Sequence, residues 1–398
     1  MGLTRFNAGS VAVNMHRRGW RSERSYMIRT NERRRVFGAT VLTVMIVAGA
    51  PCWAVGDDSG AAEGARREWT AVTIYAENDS KAMLPNDQAD RYYTNGTAVS
   101  VAGRPAWADG LAGHLPFDAE FGQRRTAAGV IFGHLMFTPQ DIRAKGLIRN
   151  DHPYAGYMYL GGYLQRANEQ TLDHFQLDLG MVGPSAEGEK LQKFVHNTLQ
   201  GIDMQGWDNQ LKDEPTVNLY VRKKWRWDLL SAETGEASSF AVQGLPYVGG
   251  AVGTVNRYLE AGGTLRVGWN LPNDFGPGRL ADVGSATGMR RYGEAGSGDG
   301  LGQSHRDGFG VYAFGRATGR AVEHNLFVEG NNFRSSHGRP LEPLIGEFQY
   351  GVSLRYQRET WTVELGYSQT YVTRQFDRQA HNDSYGAYTL SVHMGRTR

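Results

Sequence analysis

Glu77, Asn78 and Asp79 close one apolar alternation, and Thr94, Asn95 and Gly96 open the next. The stretch YAENDSKAMLPNDQADRYYTNGTAVS, residues 75–100, thus sets its densest group of oxygen ligands at the rim of a hairpin. An Asp with nearby amide, hydroxyl and backbone oxygens is what a hard cation such as calcium needs. Turn chemistry favours the same residue types, because Asn, Asp, Thr and Gly bond locally to the backbone. Farther along, AEGEKLQKFVHNTLQG reads as a helix with Leu191, Phe194, Val195 and Leu199 in one apolar stripe. Gln192 and His196 stand one turn apart on a neighbouring face. Read alone, His196 is more readily a surface histidine on a packing helix than a chemical group.

The elements that must hold these groups follow from the bulk pattern. The only long apolar run, FGATVLTVMIVAGAPCWA at residues 37–54, follows Arg33, Arg34 and Arg35 and leads into small and acidic residues. It reads as a secretory signal rather than a transmembrane anchor, with cleavage near Pro51–Ala54 and a start at Met27. The expected division is therefore an N-terminal extension and signal over residues 1–54 and one domain over 55–398. Removing 1–54 leaves 34 Lys and Arg against 39 Asp and Glu, a formal charge of −5. A mildly acidic chain without a basic tract argues against a nucleic-acid partner. The single Cys52 leaves with the signal, so packing and hydrogen bonds must supply the stability.

An exported chain of this kind is either a soluble secreted protein or an outer-membrane barrel, and the alternation decides. In EFQYGVSLRYQR, Phe348, Tyr350, Val352, Leu354 and Tyr356 share one face; Gln349, Gly351, Ser353, Arg355 and Gln357 share the other. Trp361, Val363, Leu365 and Tyr367 repeat the pattern, as do Leu259 to Trp269 and Phe175 to Met181. Such strands need about 9–11 residues to cross a bilayer. The predicted fold is all-β, a closed antiparallel transmembrane β-barrel with a short helix in an extracellular loop. Thirteen segments alternate, and a bacterial barrel wants an even number. LFVEGNNFRSS alternates worst, so residues 325–333 are assigned to a loop and twelve strands remain.

With the N-terminus in the periplasm, the outward loops are those near 79–92, 138–153, 182–214, 253–256, 324–346 and 373–384. The segments 103–127 and 270–308 then face the periplasm, both longer than such turns usually are. Trp225, Trp227, Trp269 and Trp361 read as belt residues at strand ends. Arg266, Arg355 and Glu364 are expected to satisfy one another inside a filled lumen. DHPYAGY and GWDNQ are expected to shape loops and supply aromatic anchors at the interface.

END, DRYYTNG, FTP, DHPYAGY, VGPSAEGEKLQKFVH, GWDNQLKDEP and LFVEGNNF occur in this order across nearly the whole mature chain. The ordered set resembles the lipid A 3'-O-deacylase family of outer-membrane barrels. That resemblance implies a twelve-stranded barrel that uses calcium to remove the 3'-linked acyloxyacyl group of lipid A in the outer leaflet. It carries the family's site onto Asn78, Asp79, Thr94, Gln192 and His196. The family lysine falls nearest Lys145, with Arg143 as the alternative, and an acidic residue after the histidine falls on Asp203. Asp79 and Asp203 are the expected calcium ligands. Lipid A or lipopolysaccharide is the implied partner, together with the barrel-assembly machinery during biogenesis.

The implied chemistry has neutral His196 take a proton from water, which attacks the ester carbonyl, while Gln192 steadies the ring or the water. Calcium on Asp79 would polarise the carbonyl, with Asn78 and Lys145 donating to the oxyanion. Thr94 would order Asp79 or the substrate. Outer-membrane phospholipases place a His two residues before their Ser; here Tyr92, Tyr93 and Thr94 precede Asn95 and Gly96, so that His is absent. Two readings compete: a non-enzymatic pore or surface-binding barrel, and an esterase or phospholipase acting on another outer-leaflet lipid.

Overall fold

The computed structural model describes residues 68–79, 91–116, 125–199, 204–233, 239–280, 308–358 and 360–396. The proposed signal over 1–54 and Asp203 lie outside the described residues, and of His196 only the backbone is described. The chain divides into two units, one of them holding Met1–Pro51 and Gln192–Asp203 and the other the remainder, including every strand.

Alternating β-branched and aromatic residues build antiparallel strands because successive side chains point to opposite faces. The strands are β1 (Glu68–Asn78), β2 (Tyr92–Gly103), β3 (Arg125–Thr138), β4 (Ala155–Ala167), β5 (Thr171–Val182) and β6 (Glu214–Trp225). Then come β7 (Trp227–Glu233), β8 (Ser239–Gly253), β9 (Asn256–Trp269), β10 (Gly308–Asn325), β11 (Leu344–Gln357), β12 (Trp361–Val372) and β13 (Asp383–Arg396). The helices are α1 (Ala106–Gly113), α2 (Gly188–Leu199) and α3 (Leu326–Glu329). Neighbouring strands pair in sequence order, β1 pairs with β13, and β6 pairs with β8 to close the ring. β7 continues β6 past Arg226: β6 holds one half of β8 and β7 the other, so the wall has twelve staves. The segment assigned to a loop contains α3, capped by Asn325 Oδ1, which accepts from Phe327 N at 3.0 Å.

Burial alternates as a barrel in a membrane requires. Val130, Phe132, Leu160, Leu177, Leu179, Leu259, Leu265, Phe348, Val352 and Leu354 are exposed on the outside, and Trp227, Trp269 and Trp361 stand exposed at strand ends. Inside, Arg222 Nε donates to Glu260 at 2.7 Å, Arg320 bridges Glu260 and Glu347 at 3.2 and 3.3 Å, and Arg279 grips Glu347. No helix among the described residues is long and apolar enough to cross a membrane.

The segment after β9 departs from the expected turn. Arg266, buried on β9, donates to Asp274 Oδ1 at 2.5 Å and Pro272 O at 2.8 Å. Arg316 of β10 holds Pro277 O at 2.5 Å, Arg279 meets Glu347 of β11, and Leu280 N reaches Glu77 of β1 at 2.8 Å. These partners all face the lumen and climb from one end to the other, so residues 272–280 form a strap threaded up the barrel. This corrects one expectation. Residues 272–280 are lumenal rather than outside the far end, and 281–307 of the same segment lie outside the described residues. Among the lumenal charges, Arg266 holds the strap, Arg355 donates to Asn270 O and Gln357, and its cross-strand neighbour Glu364 accepts from Tyr312 and Ser353.

Candidate active site at the barrel rim

β1 stops at Asn78, and its end and the start of β2 form a polar corner at the rim, the notch. Asn78 and Asn95 face each other in register. Asn78 Nδ2 donates to Thr94 O at 2.9 Å, and Asn95 Nδ2 donates to Glu77 O at 3.1 Å, so two side-chain amides clamp β1 to β2. Odd-numbered residues of β1 look inward; Glu77 accepts from Tyr93 Oη at 2.7 Å and from Leu280 N. Asn78 therefore lies on the outer, lipid-side face, only partly buried.

Thr94 owes its position to an irregularity. Tyr93 pairs with Phe137 and Asn95 with Met136, leaving Thr94 as an unpaired bulge residue. Bulges re-aim a side chain at the rims of sheets. Here the buried Thr94 hydroxyl shares a hydrogen bond of 2.7 Å with Thr138 Oγ1 of β3. Just before it Tyr92 adopts φ +58, a left-handed conformation rare for a bulky residue. Its ring is locked edge-on against Phe376 at 5.6 Å between centroids. The turned backbone lets Arg91 N donate to Asp79 Oδ2 at 2.8 Å, which fixes the buried carboxylate beside the end of β1. Beyond Asn78, β13 reaches β2 directly, Asp383 Oδ2 accepting from Tyr93 N at 3.2 Å.

The surrounding loops are packed. Phe137 stacks on Phe327 at 4.2 Å and on His152 at 5.6 Å. His152 Nδ1 donates to Pro153 O at 2.7 Å, and burial pushes its pKa down to about 4, keeping the ring neutral. Asp151 caps Gln140 N at 2.7 Å. Trp207 is buried against Tyr154 at 5.0 Å between centroids. DHPYAGY and GWDNQ thus shape loops as expected, but Tyr154, Tyr157 and Trp207 are buried in loop and wall packing rather than anchored at the lipid interface. Asn331 and Asn332 of the GNNF motif bind Glu214, at 3.3 and 2.8 Å, tying the α3 loop to β6.

Asn78, Asp79 and Thr94 are thus brought together. Lys145 is exposed; its carbonyl accepts from Asn209 Nδ2 at 3.0 Å, and no described contact joins its side chain to the notch. Arg143, the alternative, is also exposed, with its N–H on Asp141 Oδ1 at 3.0 Å. Gln192 and His196 lie four residues apart on α2. The start of α2 is anchored by close packing: a Cβ on Gly188 would come 3.0 Å from Gly156 Cα and 2.9 Å from Trp207. His134 of β3 donates from Nε2 to Ala186 O at 2.8 Å just before that helix.

Sequence reading missed Thr138, His134 and Arg91. Thr138 stands in the quoted FTP motif, yet its partner is 44 residues away. His134 sits in an alternating strand where nothing local singles it out.

The model of one protein family, outer membrane protein LpxR, matches residues 38–394. The chain belongs to this family. LpxR from Salmonella typhimurium is similar in structure at TM-score 0.59 and 16% identity, over 81% of this chain and 99% of that one. The translocator domain of the autotransporter NalP from Neisseria meningitidis matches at TM-score 0.35 and 8% identity, over 83% and 89%. The beta domain of the Bordetella autotransporter BrkA matches at TM-score 0.31 and 11% identity, over 82% and 98%. No curated protein matches the sequence. LpxR membership and the closed twelve-stave wall make this an outer-membrane barrel protein.

Proposed function

We propose that the protein is an outer-membrane lipid A deacylase that hydrolyses the 3'-linked acyloxyacyl ester at its extracellular rim. The observation that carries this reading is the polar cluster of Asn78, Asp79 and Thr94 at the rim, with Asn78 on the lipid-side face, in a barrel of the LpxR family. A polar cluster there has no role in filling the lumen. It suits an ester held in the leaflet beside the wall. The strap and charge chain occupy the lumen, which favours a site on the wall over a transport path.

The donors at the notch fit calcium in kind: the buried Asp79 carboxylate, the Asn78 amide oxygen, and the hydroxyls of Thr94 and Thr138 are all hard oxygen ligands. Asp79 would hold the ion, with Asp203 as a second carboxylate. When bound, calcium supplies Lewis-acid polarisation of the ester carbonyl. By the family resemblance, His196 would take the proton from the attacking water and return it to the leaving alkoxide. Gln192, one turn earlier, steadies the ring or the water. Asn78 donates from its amide to the oxyanion, with Lys145 as a second donor. Thr94 keeps the notch in shape: its carbonyl holds Asn78 and its hydroxyl holds Thr138.

The test uses purified protein in detergent micelles with lipid A, with calcium or with a chelator, read by mass spectrometry. Loss of the 3'-acyloxyacyl mass only with calcium is the expected result. Unchanged acylation with calcium present would end this reading, and cleavage of glycerophospholipids in its place would favour the phospholipase alternative.

A further inference from the structure

The connection between β2 and β3 is longer than a turn at the end opposite the notch needs, and its described part, residues 104–116, packs on the wall. On β3 the exposed Val130 and Phe132 define the outer face, yet Thr126 and Ala128 on that face are buried. On β4 Leu160 is exposed on the outside, yet Leu164 and Arg166 of the same parity are buried. On β5 Leu177 and Leu179 are exposed, and Asp173, again of their parity, is buried. One element meets the first four, with Asp173 held beneath Arg166 and beside Lys223: α1 folds back on the outside of the wall.

Its docking is specific. Ala108 and Ala112 pack with Ala128 and Leu164, small against the strand surface. Thr126 bonds Asp109. Arg166 donates to Ala112 O at 3.0 Å, Leu115 O at 3.2 Å and Pro116 O, while its other nitrogens hold Asp173 at 2.8 Å. Carbonyls at a helix C-terminus lack intrahelical partners, and a cation there also complements the dipole. A guanidinium–carboxylate pair on the outer face would be costly against lipid without such cover.

The other side of α1 is apolar. Trp107 is 60% and Leu111 49% exposed, one turn apart on one face. Directly along the wall that face continues into the exposed Val101, Val130 and Phe132 of the lipid belt. We propose that α1 is an interfacial lipid anchor, with Trp107 and Leu111 seated at the headgroup–acyl boundary of the phospholipid leaflet opposite the notch. Three features fix lipid as the occupant. The face is continuous with the belt that lipid already covers. Trp is the residue type favoured at that depth. An eight-residue helix lying flat on the wall belongs in the interface plane, not across the bilayer.

The test uses the full chain with Cys52→Ser in phospholipid nanodiscs, nitroxide-labelled in turn at Trp107→Cys and Leu111→Cys. Val130→Cys on the belt and Leu147→Cys on a loop at the notch end are the references. Oxygen should relax both α1 labels several-fold more than a water-soluble nickel chelate does, as at Val130→Cys and opposite to Leu147→Cys. Chelate-dominated relaxation at both α1 positions would place the helix in water and overturn the proposal. Shielding from both reagents would mean that protein covers this face, and would overturn it too. Heat-modifiable migration checks that each variant folds, and the two positions keep the test open if one does not.

Discussion

The backbone N–H of Leu280 donates to Glu77 Oε1 at 2.8 Å, joining residues 203 apart in sequence. Through this bond the lumenal strap holds the inner face of the wall whose outer face carries Asn78. Tyr93 Oη donates to the other oxygen of the same carboxylate at 2.7 Å, so Glu77 ties β1, β2 and the strap together behind the notch.

Glu77→Gln should therefore weaken the site without touching substrate. An amide offers one acceptor where two donors converge, and losing a hydrogen bond to a charged group costs about 1.5–3 kcal/mol. Deacylation by Glu77→Gln should fall, and by Glu77→Ala fall further, while both still fold as heat-modifiable barrels. Wild-type kinetics in Glu77→Ala would remove the strap from any part in the site.

Asn78→Asp keeps the size of the side chain but replaces the donor facing Thr94 O with an acceptor. Both the clamp and the proposed oxyanion contact are lost, and removal of one such donor typically costs about 10²–10³ in rate. Mass spectrometry of lipid A over a time course measures it. A variant within a factor of a few of the wild type would show that Asn78 is structural only.

Thr138→Val leaves the buried Thr94 hydroxyl without its partner, at a cost of about 1–3 kcal/mol. Thr94→Ser retains the hydroxyl and should stay close to wild type, whereas Thr94→Val should lose activity. Equal activity of Ser and Val at position 94 would rule out the hydroxyl as the reason for Thr there.

Asp79→Asn removes the buried carboxylate at the end of β1. The variant should need more calcium than the wild type for the same rate. The calcium-dependent rise in melting temperature should shrink in parallel, a readout independent of turnover. If chelator and calcium change neither variant, the ion is not part of this protein.

His152 gives the rim a pH dependence whose sign can be worked out. Its folded pKa of about 4 lies below the usual 6.5 of a histidine, chiefly because of burial. The unfolded chain therefore binds the extra proton first as pH falls. Stability is full above about 6.5, falls between about 6.5 and 4 and levels below that, by about 3 kcal/mol in all at 1.36 kcal/mol per unit. Chemical unfolding in detergent across this range should show the slope in the wild type and a flatter one in His152→Phe. An unchanged slope in the variant would place the titration elsewhere.

Most of the wall is legible in the sequence because side-chain period two is a local property. The alternation of Phe348 to Tyr356 or Leu259 to Trp269 needs no distant partner to be read, and parity alone assigns the inner and outer faces. The weak alternation at 325–333 rightly excludes a strand, since Leu326–Glu329 forms a capped helical turn. Asn78, Asp79 and Thr94 are legible as a cluster because they flank one hairpin. Lys145 is less so, because loop length blurs its assignment and the structure leaves its side chain exposed.

The sequence by itself determined the alternating strands, their lipid and lumen faces, and the polar rim between β1 and β2, all from spacing within one or two strands; the count of twelve came from the even number that a closed barrel needs. Only the tertiary structure decided how the ring closes through β6 and β8, that Thr94 is a bulge held by Thr138, that 272–280 threads the lumen to Glu77, and that α1 turns back onto the outer wall. The physical reason is common to all four. Each depends on hydrogen bonds and packing between residues far apart in the chain, whose pairing leaves no period in the sequence and is fixed only when the wall closes.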